Sequence, residues 1–159
     1  MAAIELSTAG IKLGWAPEVT VGVRPVAGYT RVRGVKSIPS FNAEPATLEV
    51  TDLNDLEWKR YIPGLKDVGG ALAFTCNFTQ QLMDDWGDIM DAFDTAKAAG
   101  LRMWFHVNVP DLADGFFFAG EPSPLGLPEA GVDAVLEADV FITPTYIEGF
   151  RTKVAIAEP

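Results

Sequence analysis

"GALAFTCNFTQQLMDDWGDIMDAFDTAKAAGLRMWFHVNV", Gly70 to Val109, holds both of the periods that a folded chain uses. Its first ten residues alternate. Leu72, Phe74, Cys76 and Phe78 share one face, and Ala73, Thr75, Asn77 and Thr79 share the other, which is the pattern of a half-buried strand. From about Gln80 to Ala99 the apolar spacing becomes three and four. Leu82, Trp86, Ile89, Met90, Phe93 and Ala96 make one stripe, which predicts an amphipathic helix. Thr79 suits the N-cap, Asp84 and Asp85 lie near the positive end, Lys97 lies near the other, and Gly100 suits the left-handed position after the last turn. Alternation then returns, with Leu101, Met103, Phe105, Val107 and Val109 facing inward.

Outside this strand–helix–strand unit the chain reads as further strands. "IKLGWA" (Ile11–Ala16) alternates, with Gly14 as a candidate bulge. Residues 17–45 are broken by Pro17, Pro25, Pro39 and Pro45 and by Gly22, Gly28 and Gly34, so only "YTRVRGV" (Tyr29–Val35) is strand-like there. "ATLEVTDL" (Ala46–Leu53) puts Leu48 and Val50 on one face and Thr47, Glu49 and Thr51 on the other. Residues 52–69 hold neither period and read as a loop. "DGFFFAG" (Asp114–Gly120) is a short strand, residues 121–131 form a Pro/Gly loop, and "VDAVLEADVFIT" (Val132–Thr143) alternates again. Residues 1–10 read as an N-terminal arm, and residues 146–159 as a final strand or arm. The expected fold is mainly β: a β-sandwich or half-barrel with one flanking helix, in a single domain over residues 1–159.

Composition limits the function classes. Hydrophobic residues make up 48% of the chain, which indicates a folded core and not disorder. No apolar run is long enough for a membrane-spanning helix, and "MAAIELSTAG" lacks the pattern of a secretory signal. One cysteine, Cys76, excludes an internal disulfide framework and fits a reducing cytosol. The net charge of −10 repels phosphate, so general nucleic-acid binding is not expected. A conduit through which DNA slides would avoid basic patches in the same way.

Catalytic sets are sparse. The single histidine, His106, lies on the polar side of its strand beside Trp104, and a Cys76–His106 dyad is conceivable. Cys76, however, lies on an apolar face, where a thiol is ordinarily inert. Zinc ligands of the usual kind are lacking, and no phosphate-binding, dinucleotide or nucleophile-elbow motif is present. The acidic run from Asp52 fails as a calcium loop: Leu56, Glu57 and Pro63 occupy its fifth, sixth and twelfth positions. Asp84, Asp88 and Asp91 share a helix face, for which a solvated surface is the plain reading. Trp15, Trp58, Trp86 and Trp104 are scattered, which favours core or interface positions over a sugar platform. No enzymatic activity and no cofactor are expected.

The segment Gly28–Thr79, with its "IPSF" turn, "EVTDL" strand and "YIPGLKDVGGALAF" run, resembles the tail tube (major tail) proteins of long-tailed siphophages. The helix, "WFHVNVP", "FFFAGEPSPLGLP" and "VDAVLEADVFITPT" follow in the same order, so the resemblance covers about Gly10 to Thr145. It implies a tail-tube fold whose six subunits pair sheets into a ring with a continuous inner β-barrel. It implies rings stacked into a hollow tube, with the tape-measure protein, the tail terminator and distal tail or baseplate proteins as partners. It also implies passage of DNA through the lumen without specific binding, no membrane, and a place in the virion after synthesis in the host cytoplasm.

On this reading Glu49–Gly70 is a strand plus an exposed loop that packs on a neighbouring subunit. Trp58, Tyr61, Ile62, Pro63 and Leu65 are the apolar anchors, and Lys59, Arg60 and Asp67 form the charged rim. Glu49, Glu137 and Asp139 oppose core residues on their strands and are expected to line or rim the channel. Two other classes stay open: a monomeric β-sandwich that binds a ligand through its tryptophans, and a small cytosolic enzyme with carboxylates on its helix. Particle size separates them, because only the first reading requires rings or tubes.

Overall fold

The computed structural model describes residue 7, residues 9–67 and residues 70–159. Of the expected N-terminal arm only Ser7, Ala9 and Gly10 fall among these, and Val68 and Gly69 of the expected 52–69 loop lie outside them. The chain forms β1 (Lys12–Pro17), β2 (Tyr29–Arg31), β3 (Val35–Ser37), β4 (Pro45–Glu49), β5 (Tyr61–Lys66) and β6 (Leu72–Asn77). Helix α1 (Gln80–Ala98) follows, then β7 (Met103–Asn108), β8 (Asp114–Pro122), β9 (Glu137–Thr152) and β10 (Ile156–Ala157). The fold is mainly β with one helix.

Eight strands make one curled, half-barrel sheet in the order β10-β2-β1-β7-β8-β9-β6-β3. Among the described strands only the β10–β2 pair is parallel. Strand β9 produces the curl. Its first part, Glu137–Ile142, pairs with β6, while Ile142–Thr152 pairs with β8 across two register shifts. Both shifts fall between Pro144 and Gly149, beyond the change of partner at Ile142, and each adds local twist.

The helix forms where the spacing predicts it. Thr79 caps it by accepting a hydrogen bond from the Leu82 N–H at 3.2 Å, and Gly100 takes the left-handed conformation after its end (φ 74°). Leu82, Trp86, Ile89 and Phe93 bury against Phe74, Phe105, Phe118, Val140 and Ile142 to form the main core. Asp85 is also buried in this stripe. Arg33 neutralises it through a two-pronged contact (Nε 3.0 Å, Nη2 2.7 Å) and through its backbone N–H at 3.0 Å.

Several expectations need correction. The sheet is buried on both faces at β7 and β8, so His106 and Trp104 are not on a polar side. Both are fully enclosed, and Trp104 packs with Ala16, Tyr29, Phe117 and Ala119 in a second core under Val154 and Ile156. Gly14 is not a bulge, because the β1–β7 register runs unbroken from Lys12 to Pro17. Its missing side chain leaves space for Ile156, whose atoms would stand 3.1 Å from a Cβ there. Residues 17–45 hold the two strands β2 and β3 between their loops. The 52–69 segment is not all loop: Tyr61–Lys66 is β5, paired with β4 in a separate two-stranded sheet. Leu48 and Val50 are exposed and not core. The 121–131 segment begins with Glu121 and Pro122 still in β8, and β9 starts only at Glu137 but runs on to Thr152.

Glycine is required at position 115, where an added Cβ would lie 2.0 Å from the His106 Nε2. Gly115→Ala is expected to lose about 1–3 kcal/mol in denaturant unfolding, the range for overpacking a core. Adding His106→Ala removes the clash, so the double variant is expected to be more stable than the two single losses sum to. Additive losses would show that the ring does not press on this backbone.

Candidate assembly surface

The β4–β5 hairpin stands apart from the eight-stranded sheet. Its register pairs Leu48 with Ile62, Glu49 with Tyr61 and Thr47 with Pro63. Beyond the strands, the Val50 N–H donates to the Arg60 carbonyl at 2.9 Å, and the Arg60 N–H donates to Thr51 Oγ1 at 2.8 Å. The acids of the turn fold it. Asp55 Oδ2 accepts from the Asp52 N–H (2.9 Å) and from Arg60 Nε (2.7 Å), while Asp52 Oδ1 accepts from the Asn54 N–H (2.8 Å). The Asp52 N–H and the Arg60 guanidinium hold the Asp55 carboxyl below its usual range. The acidic run therefore builds a turn.

That turn carries apolar side chains into solvent. Leu48, Val50, Leu53, Leu56, Trp58, Tyr61, Ile62 and Leu65 are all exposed, Leu53 and Leu65 above 90% and Trp58 at 81%. Pro63 is exposed as well. A two-stranded hairpin of this length is marginal in water on its own, and its exposed apolar groups are clustered, unlike the scattered singles usual on a surface. Trp58, Tyr61, Ile62, Pro63 and Leu65 thus share one projecting element.

The three acids proposed for a channel do not share an element. Glu49 ends β4 and is exposed. Glu137 and Asp139 lie two residues apart on β9. Glu137 forms an ion pair with Lys36 of β3, and exposed Asp139 accepts from Thr75 Oγ1 at 3.0 Å. Asp84, Asp88 and Asp91 are exposed on the helix. Of the tryptophans, Trp86 and Trp104 are buried, Trp15 is half-buried and Trp58 alone is exposed, so they make no common platform.

The conceivable Cys76–His106 dyad is not formed. Cys76 belongs to the main core, His106 packs on the opposite sheet face, and their strands are three positions apart. Burial pushes the Cys76 thiol up to about 12. Among the described residues no group of three or more His, Cys, Asp or Glu could hold a metal. None of their helices is long and apolar enough to cross a membrane.

Two buried polar clusters escape sequence reading. Glu18 accepts from Trp104 Nε1 (2.7 Å), Arg102 Nε (3.0 Å) and the Gly22 N–H (2.9 Å). Burial raises its pKa, but these donors outweigh burial and the net shift is downward. His106 stacks on Phe117 at 4.2 Å and meets Tyr29 edge-on, with no partner for either ring nitrogen. No protein-family model and no curated protein matches this chain.

Burial, and then the charges of Arg24 and Lys153, push His106 down to about 4. The unfolded chain therefore takes up this proton first. The stabilisation is complete above about pH 6.5 and is lost as pH falls toward 4. At about 1.4 kcal/mol per pKa unit, the loss is roughly 3 kcal/mol. His106→Leu is expected to flatten the stability profile between pH 6.5 and 4, read by urea unfolding at several pH values. An unchanged slope would assign that pH dependence to other groups.

Proposed function

We propose that this chain is a structural subunit that assembles with copies of itself, in the manner of a phage tail tube protein. Six copies would close a ring by sheet pairing around an inner β-barrel, and rings would stack into a hollow tube that conducts DNA. The supporting observation is the projecting β4–β5 hairpin, whose large apolar side chains are uncovered. The resemblance of the motif order to that of siphophage tail tube proteins motivates the same reading. Each large apolar side chain taken out of water contributes roughly 1.5–3 kcal/mol. A handful therefore reaches the range of about 4–15 kcal/mol that association costs in lost freedom. The partners on this reading are other copies, a tape-measure protein, the tail terminator and the distal tail proteins, and the tube belongs to the virion.

Glu49, Glu137 and Asp139 would line or rim the lumen, where negative charge keeps phosphates from binding. Lys36 already balances Glu137, so Glu49 and Asp139 would carry more of that field.

Negative-stain imaging and sedimentation of the concentrated protein are expected to show rings or tubes. Trp58→Ala with Ile62→Ser is expected to raise the concentration needed for assembly about tenfold or more, while the thermal midpoint of the subunit stays unchanged. Normal tubes from that variant would contradict the hairpin assignment, and a strict monomer at all concentrations would contradict the function. In tubes that carry lysine at positions 49, 137 and 139, DNA is expected to be retained in a salt-dependent way. Unaltered passage would place these residues away from DNA.

A further inference from the structure

The second core encloses a histidine whose charge it cannot receive. His106 is fully buried, stacked on Phe117 and met edge-on by Tyr29 (ring centroids 4.2 and 5.5 Å). Neither ring nitrogen has a hydrogen-bond partner among the described residues. Its neighbours are cations. The Arg24 guanidinium lies 4.2 Å from the centroid of the same Phe117 ring, and Lys153 heads the segment that closes this face. Register puts Lys12 of β1, Arg31 of β2 and Arg151 of β9 on the same side of the sheet. The acids around them already have cations: Glu158 pairs with Arg31 and Lys12, Glu148 with Arg151, and Glu18 with Arg102. Tyr29 stays neutral, since burial pushes its phenol up to about 12.

One side chain closes the way to this ring. Gly14 faces His106 across the β1–β7 pair and has no side chain of its own. Ile156 fills that notch, its atoms 3.1 Å from where a Cβ would stand. The segment that carries Ile156 is thinly held. Strand β10 pairs with β2 at two positions, Ile156 with Tyr29 and Ala157 with Thr30. Val154 and Ile156 are the apolar groups it packs on the second core. Its Glu158 ion pairs, at 3.2 Å to Arg31 and 3.9 Å to Lys12, are exposed and therefore weak. A cleft of about 560 Å³ runs between residues 26–30 and residues 153–157, so solvent already borders the segment. A terminal segment with so few buried contacts opens far more readily than the whole domain.

We propose that residues 153–159 are an acid-released strap: when His106 takes up a proton, Ile156 leaves the Gly14 notch and the strap detaches from β2, while the main core under α1 stays folded. Detachment admits water to the imidazolium through the uncovered Gly14 and carries the Lys153 charge away. The direction of the switch follows from the closed site. There, burial and then the charges of Arg24 and Lys153 hold His106 down to about 4, whereas an exposed histidine titrates near 6.5. The open form therefore binds the proton first. Each unit of pH below 6.5 favours opening about tenfold, until pH nears 4. The main core contains no histidine and receives no such push.

Two measurements on the full chain, at one protein concentration, test this between pH 7 and 4.5. The chain has a single histidine, so its imidazole Cε1 proton gives one NMR titration. Hydrogen exchange, corrected for the intrinsic effect of pH on the rate, gives the protection of β2, β10 and α1. Protection of β2 and β10 is expected to fall about tenfold or more from pH 6.5 to 4.5, in step with the histidine titration, while α1 keeps its protection. Ile156→Ala is expected to move both changes to higher pH, and His106→Leu to keep the strap protected down to pH 4.5. The strap is overturned if β10 stays fully protected at pH 4.5, or if α1 loses protection at the same pH. It is equally overturned if the strap opens where the histidine does not titrate, if Ile156→Ala leaves the transition unmoved, or if folded His106→Leu still opens.

Discussion

Strands β7 and β8 carry large side chains on both faces, and the rest of the structure answers that constraint. Met103, Phe105 and Phe118 point one way, and Trp104, His106 and Phe117 the other. Apolar area on two faces needs two covers. Helix α1 supplies one through Leu82, Trp86, Ile89 and Phe93. The chain after β9 supplies the other, where Val154 and Ile156 close over Tyr29 and Trp104. Gly14 and Gly115 make room for Ile156 and for His106. Both covers come from within the chain, so the two faces of β7 and β8 are buried without a partner. Among the described residues the β4–β5 hairpin receives no such cover, and the functional proposal rests on that asymmetry.

Polar groups that enter these cores are matched by position. Asp85 sits three residues after Leu82 and four before Ile89, on the buried stripe, and Arg33 meets it there. Breaking a buried pair on one side typically costs about 3–5 kcal/mol, because the remaining charge is stranded. Glu18 likewise anchors the β1–β2 loop to Trp104 and Arg102. Arg102 lies over the rings of Trp104 and Tyr146 at 4.9 and 5.1 Å, which couples this anchor to β9.

The parts of the fold legible in the sequence were those with an uninterrupted period. Leu72 to Cys76, the α1 stripe, and Ala138 to Ile142 alternate or recur as the structure requires. The hairpin was legible only by exclusion: β5 contains Pro63 and Gly64, both faces are exposed, and no alternation separates inside from outside. Leu48 and Val50 misled for the same reason, since alternation assigns a residue to a face without saying what covers that face. The second core was hidden because β7 is apolar on both sides, which periodicity alone does not resolve. Asp85 carried a readable signal, a carboxylate inside an apolar stripe, but its partner Arg33 is fixed only by the fold.

The central claim is that the hairpin is covered only when copies of the chain meet. Hydrogen exchange of the residue 45–66 amides, followed across protein concentration, tests it most directly. The account predicts that protection of this segment rises with concentration while β7 and β8 stay equally protected throughout. Protection of the hairpin that is independent of concentration would contradict it.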